Sequence, residues 1–158
     1  MNAKLLSLDA LAQKANELRA GGSRLVATNG CFDLLHVGHV RYLQAARRLG
    51  DALVVGINGD ASVRALKGES RPLNRESDRA EVLAALDCVD FVTIFPDVRA
   101  TEFLKLAQPA VYVKGGDYKP ETLDADERTT LQQMQSEIRI IPFEAGYSTS
   151  GLIERMSC

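Results

Sequence analysis

Both histidines of the chain, His36 and His39, sit in the stretch TNGCFDLLHVGHVRYLQAARRLGD, residues 28–51, on either side of Val37-Gly38. Two imidazoles at i and i+3 fall on one face of a helical turn. If that turn opens a helix, its free backbone N–H groups and its dipole favour an anion at the same place. Gly38 removes a side chain between the rings, so a phosphate group can come close to the backbone. A pair that only satisfies hydrogen bonds in a loop is the bland reading; the strand before and the helix after favour phosphate chemistry. Zinc is a poorer match, because a catalytic zinc takes three protein ligands. Only Asp33 stands near enough to supplement the pair, and there is neither an HExxH run nor a CxxC pair.

Such a loop works only if a framework delivers it to a ligand. Five short runs, RLVATN, ALVVGIN, FVTIF, AVYVKGG and EIRIIPF, are apolar on successive residues and rich in Val and Ile. That is the pattern of parallel strands covered on both faces. Between them VRYLQAARRLG, RESDRAEVLAALD, DVRATEFLKLAQ and LDADERTTLQQMQSE carry helical spacing, and LDALAQKANELRAGG reads as an opening helix closed by Gly21-Gly22. The alternation predicts an α/β fold, a Rossmann-like, doubly wound, parallel five-stranded sheet with helices on both faces. Residues 1–158 read as one domain, an N-terminal helix in 1–22 and a catalytic core in 23–158. Residues 67–77, KGESRPLNRES, read as a mobile loop.

Composition narrows the partners. With 46% hydrophobic and 25% charged residues the chain is an ordinary globular one. A net charge of −2 gives no general attraction to nucleic acid or anionic lipid, so the expected ligand is small. No apolar run approaches the ~20 residues of a bilayer span, and no signal-peptide pattern opens the chain, which points to the cytoplasm. Cys31, Cys88 and Cys158 are odd in number and far apart, and read as reduced thiols. No two glycines are spaced as GxG and there is no GK[ST], so dinucleotide and P-loop readings fall behind.

GCFDLLHVGH resembles the HxGH signature of the cytidylyltransferase-like nucleotidyltransferases, and the likeness continues through LGDALVVGINGDASVRALKG, RPLNRESDRAEVLAALDCVDFV, VYVKGGDYKP and FEAGYSTSGLIERM. Within that family it runs to the branch that moves AMP from ATP onto D-glycero-β-D-manno-heptose 1-phosphate, giving ADP-heptose, a lipopolysaccharide precursor, and pyrophosphate. The resemblance implies that His36 and His39 grip the triphosphate, with Lys67 reaching the phosphates and Arg79 pointing back into the site. By composition alone Lys67 and Arg79 would be solvated surface cations. Arg71 reads either as a contact to a substrate phosphate or as a loop-stabilising cation. Gly30, Cys31 and Phe32 would give backbone groups to the nucleotide.

VKGGDY sets Lys114, Gly115 and Asp117 after the fourth strand, and Asp117 resembles the family residue that holds base or ribose. Taken alone, GGD is equally an ordinary turn. Ser148, Thr149 and Ser150 resemble the family's STT-type motif, a second helix start aimed at the triphosphate, and Ser148 or Thr149 can also cap that helix. The glycerol-phosphate cytidylyltransferases carry Arg-Thr where this chain has Phe143-Glu144, which implies ATP rather than CTP. Mg²⁺ bound through nucleotide phosphates and a homodimer are further implications. The alternatives are a cytidylyltransferase acting on an alcohol phosphate such as glycerol 3-phosphate, an FAD synthase, and a nucleotide-binding regulatory module without turnover.

Overall fold

The computed structural model describes residues 2–116, 119–142 and 144–157; Asp117, Phe143 and Cys158 lie outside these described residues. Five strands, β1 (Leu25–Gly30), β2 (Ala52–Asn58), β3 (Phe91–Phe95), β4 (Val111–Gly115) and β5 (Glu137–Ile141), form one sheet in the order β3-β2-β1-β4-β5. Every neighbouring pair is parallel, as the apolar runs predict. All seven residues of β2 are buried, which is why its sequence does not alternate.

The helices are α1 (Leu8–Ala20), α2 (Val37–Arg47), α3 (Asp60–Lys67), α4 (Glu76–Ala84), α5 (Thr101–Ala107), α6 (Ala125–Gln133) and α7 (Thr149–Met156). Leu11 and Ala15 of α1, Phe103 and Leu104 of α5 and Leu131 of α6 pack with Leu25, Ala27 and Val54 on one face of the sheet. Leu43 of α2 and Ala80 and Leu83 of α4 pack with Val26, Leu53 and Val55 on the other. The chain before α1 adds something the periodicity did not contain. Leu6 N–H donates to Val92 O and Val92 N–H to Lys4 O, and this isolated bridge covers the exposed edge of β3.

Chain order reverses between β1 and β4, the switch point where open α/β sheets bind ligands beyond the carboxyl ends of their strands. Here the two strands part early: only Val26–Val111 and Ala27–Tyr112 are paired. Beyond them tyrosine hydroxyls bridge the gap. Tyr42 OH lies 2.6 Å from Thr28 Oγ1 and donates to Val113 O, while Tyr112 OH donates to Asn29 Oδ1. Burial pushes the Tyr42 phenol up to about 12, so it remains a neutral bridge.

Two elements differ from the sequence expectation. Helix α3 was not among the expected helices; its N-cap is Gly59, which offers no side-chain cap, but Gly59 N–H donates to Phe95 O across the sheet end. Helix α5 begins at Thr101 and not near Asp97, because the preceding residues are held elsewhere: Asn58 Nδ2 donates to the Asp97 and Val98 carbonyls, and Glu127 Oε1 accepts the Ala100 N–H.

Candidate active site

A cleft of about 900 Å³ lies over the carboxyl ends of β1 and β4. Its volume suits a nucleotide-sized ligand. The β1–α2 loop forms its floor, with Gly30, Cys31 and Phe32 lining it. Phe32 adopts a left-handed φ of 47° and lays its ring over Gly30, where a Cβ would come within 3.0 Å of it. The Cys31 thiol is half-buried; burial pushes it up, although Lys67, Arg79 and Arg71 pull the other way. It is a protonated floor group, not a nucleophile.

His36 is the N-cap of α2, and its backbone N–H donates to His39 Nδ1 at 3.3 Å. Because Nδ1 accepts, a neutral His39 carries its proton on Nε2. Burial, helped by the neighbouring His36, lowers the His39 imidazole to about 4, so the ring is neutral near pH 7. The two rings lie 3.9 Å apart, centroid to centroid, and the Phe32 ring lies 5.5 Å from that of His39. His36 is also lowered, by burial and then by the charge of Arg155. Its Nδ1 is buried without a hydrogen-bond partner among the described residues.

Gly38 lines the cleft, yet the space beside it is not left for a ligand. A Cβ there would lie 2.9 Å from the His36 ring and 3.0 Å from Tyr147 Cβ, so the absent side chain makes room for protein packing. Tyr147 stacks beside His36 at 6.1 Å. It leads into α7, whose N-cap Ser148 accepts the Gly151 N–H at 2.9 Å. Ser148, Thr149 and Ser150 all line the cleft, but the Thr149 hydroxyl is already committed, donating to Leu34 O at 3.0 Å. Two helix starts, α2 and α7, thus border one cleft.

Opposite them Lys67 ends α3 and Lys114 and Gly115 end β4, all lining the cleft. Burial pushes the Lys114 ammonium down, and nearby Glu127 opposes that shift. Arg71 lines the cleft while its Nε donates to Asp33 Oδ2 at 2.6 Å. That bond ties it to the cleft floor at the edge of the site.

Arg79 departs from expectation. Its side chain is fully buried and does not line the cleft. Nε donates to Asn74 O, Nη1 to Cys31 O at 2.6 Å and Nη2 to Asp60 Oδ1 at 2.8 Å. It pins the cleft floor to the start of α3 and the approach to α4, holding the site from behind without entering it.

The mobile loop expected at 67–77 is corrected for a related reason. The buried Asp33 carboxylate accepts the N–H groups of Leu73 and Asn74 as well as Arg71 Nε, and Asn74 Nδ2 donates to Asp33 O. Burial alone would push the Asp33 carboxyl up; these donors outweigh it and hold the group below the usual range. In the sequence Asp33 registered only as an insufficient third metal ligand. The loop's exposed N–H groups were the available signal, but nothing local says which carboxylate they meet. Asn58, Arg99, Asp124 and Glu127 also line the cleft and escaped notice, since none belongs to a spaced motif.

Over 155 residues the chain is 52% identical to the Bifunctional protein HldE of Geotalea uraniireducens (strain Rf4), and 47% identical to that of Geobacter metallireducens (strain ATCC 53774 / DSM 7210 / GS-15). Each alignment covers 98% of this chain but 31% of the relative, so the chain spans about a third of the length of the curated relatives it matches. Among solved structures, the lipopolysaccharide core biosynthesis protein from Thermoplasma volcanium GSS1 superposes with a TM-score of 0.64 at 25% identity, covering 78% of this chain and 98% of that one. The pantoate-beta-alanine ligase from Francisella tularensis superposes at 0.62 with 15% identity, covering 93% of this chain and 69% of that one, a likeness of fold alone. With a family model matching residues 27–155, the parallel sheet and the histidine-bearing helix start are those of a member of the Cytidylyltransferase-like family.

Proposed function

We propose that the chain is a nucleotidyltransferase domain that moves AMP from ATP to a sugar 1-phosphate, D-glycero-β-D-manno-heptose 1-phosphate, giving ADP-heptose and pyrophosphate. The observation that carries the reading is the meeting of His36, His39 and the starts of α2 and α7 on one cleft with Lys67. Similarity to HldE proteins and to a lipopolysaccharide core biosynthesis protein supports the choice of acceptor.

In this reaction an oxygen of the acceptor phosphate attacks the α-phosphorus of ATP in line, and the bond to the bridging oxygen of pyrophosphate breaks. Such transfers need positioning and charge neutralisation more than a protein nucleophile. His39 Nε2–H is oriented by the bond that Nδ1 accepts, so it donates to a phosphoryl oxygen without first changing tautomer. His36, which lines the cleft, and the free amides of the two helix starts supply further polar contacts. Lys67 follows the charge that develops on the leaving pyrophosphate.

Mg²⁺ belongs to this reading as the companion of ATP. Among the described residues no three His, Cys, Asp or Glu side chains converge on a cation position. Phosphate oxygens of the nucleotide and water would hold it in place of protein ligands. When bound it neutralises the β- and γ-phosphates. No helix among the described residues is long and apolar enough to cross a membrane, in keeping with a cytoplasmic enzyme, which we take to act as a homodimer.

The test is pyrophosphate release with ATP, Mg²⁺ and heptose 1-phosphate, with CTP and glycerol 3-phosphate in parallel. Release confined to ATP with the sugar phosphate is the expected result. Release only with CTP would move the domain to the cytidylyl branch, and no release with any pair would remove the enzymatic reading.

A further inference from the structure

At the α5–α6 side of the cleft, the mechanism above leaves a set of polar groups unused. Glu127, in the first turn of α6, is only 6% exposed. Its Oε1 accepts the Ala100 N–H at 2.9 Å, while Oε2 has no hydrogen-bond partner among the described residues, although the side chain lines the cleft. Among the described residues the buried side-chain atoms without a partner are His36 Nδ1 and Thr93 Oγ1, so Glu127 Oε2 opens to the cleft, where it can accept from a ligand.

Its neighbours have the same character. Asn58 is 3% exposed, and its Nδ2 donates to both Asp97 O and Val98 O at 3.3 Å, which fixes the amide. Its Oδ1 accepts, among the described residues, only a long 4.0 Å contact from the Cys31 thiol. Asp124 uses Oδ1 to cap α6 through the Asp126 and Glu127 N–H groups, and among the described residues Oδ2 has only a long ion pair of 3.5 Å with Arg99 Nε. All three side chains line the cleft, and each presents an oxygen that accepts and does not donate.

We propose that Asn58, Asp124 and Glu127 form a hydroxyl-reading wall that binds the polyhydroxylated body of a sugar phosphate acceptor. This rests on the nucleotidyl transfer proposed above. Carboxylates repel a bare phosphate, so the ligand portion that fits here is neutral and rich in O–H donors. An alcohol phosphate such as glycerol 3-phosphate brings too few hydroxyls to satisfy all three oxygens. The wall therefore selects a sugar and leaves the phosphate to the cationic end of the cleft.

Glu127→Gln and Asp124→Asn test this, since Gln retains the acceptor for Ala100 N–H and Asn still caps a helix. For each variant KM is measured separately for ATP and for the sugar phosphate, and binding of sugar phosphate without ATP is followed by calorimetry. A lost hydrogen bond to a charged group predicts a rise of about tenfold or more in sugar-phosphate KM and Kd. KM for ATP is expected to hold within about twofold by the same argument, because ATP does not touch the wall. Preference for the sugar phosphate over glycerol 3-phosphate should narrow, which a general loss of folding would not produce. A raised ATP KM with unchanged sugar-phosphate KM would give the wall to the ribose and overturn the proposal, as would no change in either. If wild type binds the sugar phosphate but does not turn over, the transfer reading fails, while weaker binding by Glu127→Gln still sustains the wall. If wild type releases pyrophosphate yet neither variant alters acceptor KM, transfer stands and the wall falls.

Discussion

The two flanks of the histidine pair are fastened in very different ways. On one, Asp33 and Arg79 are fully buried and tie together the cleft floor, the α3 start and the loop before α4 through seven hydrogen bonds from and to their side chains. On the other, α7 buries no residue, and its approach is held by an Arg41–Glu144 ion pair whose side chains are 52% and 42% exposed. The first flank is set before any ligand arrives; the second adjusts at little cost. A site that must accept a polyphosphate and release pyrophosphate benefits from having one wall of each kind.

Asp33→Ala should strain this contrast most. Removing a buried carboxylate strands Arg71 and two loop N–H groups, and we expect a loss of about 3–5 kcal/mol in urea unfolding. Proteolysis should open first within residues 68–75. A small cost, comparable with that of a substitution on the α7 flank, would erase the distinction.

His39→Ala should spare folding but lower turnover by ~10²–10³, about 3–4 kcal/mol, as expected for one preorganised donor. Pyrophosphate release read beside the unfolding midpoint separates the two effects. Near-wild-type turnover would take His39 out of the machinery.

Acidity probes the same ring. His39 has a folded pKa of about 4 against an ordinary 6.5, so in that interval the unfolded chain holds the extra proton. Stability should therefore be level above about pH 6.5 and fall as pH drops toward 4. His39→Gln should flatten that part of the urea-midpoint profile; an unchanged slope would place the titration elsewhere.

Glu144→Gln should matter least to stability. An exposed ion pair contributes about 0–1 kcal/mol and is screened by salt. The expected result is a barely shifted melting curve at low salt and none at high salt. A loss as large as that of Asp33→Ala would make both flanks rigid.

The number and parallel pairing of the strands were legible because burial on both faces leaves a local mark, an unbroken apolar run such as ALVVGIN; their order in the sheet was not. So was the histidine turn, since i and i+3 share a helical face whatever surrounds them. Helix α3 was less legible because its first turn is supported by Phe95, distant in sequence, with no cap of its own. The length of α5 was obscured for the same reason: Asn58 and Glu127 hold the residues before it from 39 to 40 and 27 positions away.

The chain's own residues determined the fold class and the two helix starts beside the site, because each depends on patterns a few residues long. Tertiary structure alone decided that Asp33 would clasp a loop some 40 residues further on, that Arg79 would turn inward, and that Glu127 would keep one oxygen open to the cleft. A side chain's partner is set by which segments the sheet brings together. A carboxylate or guanidinium in a string of letters carries its charge but not its neighbours.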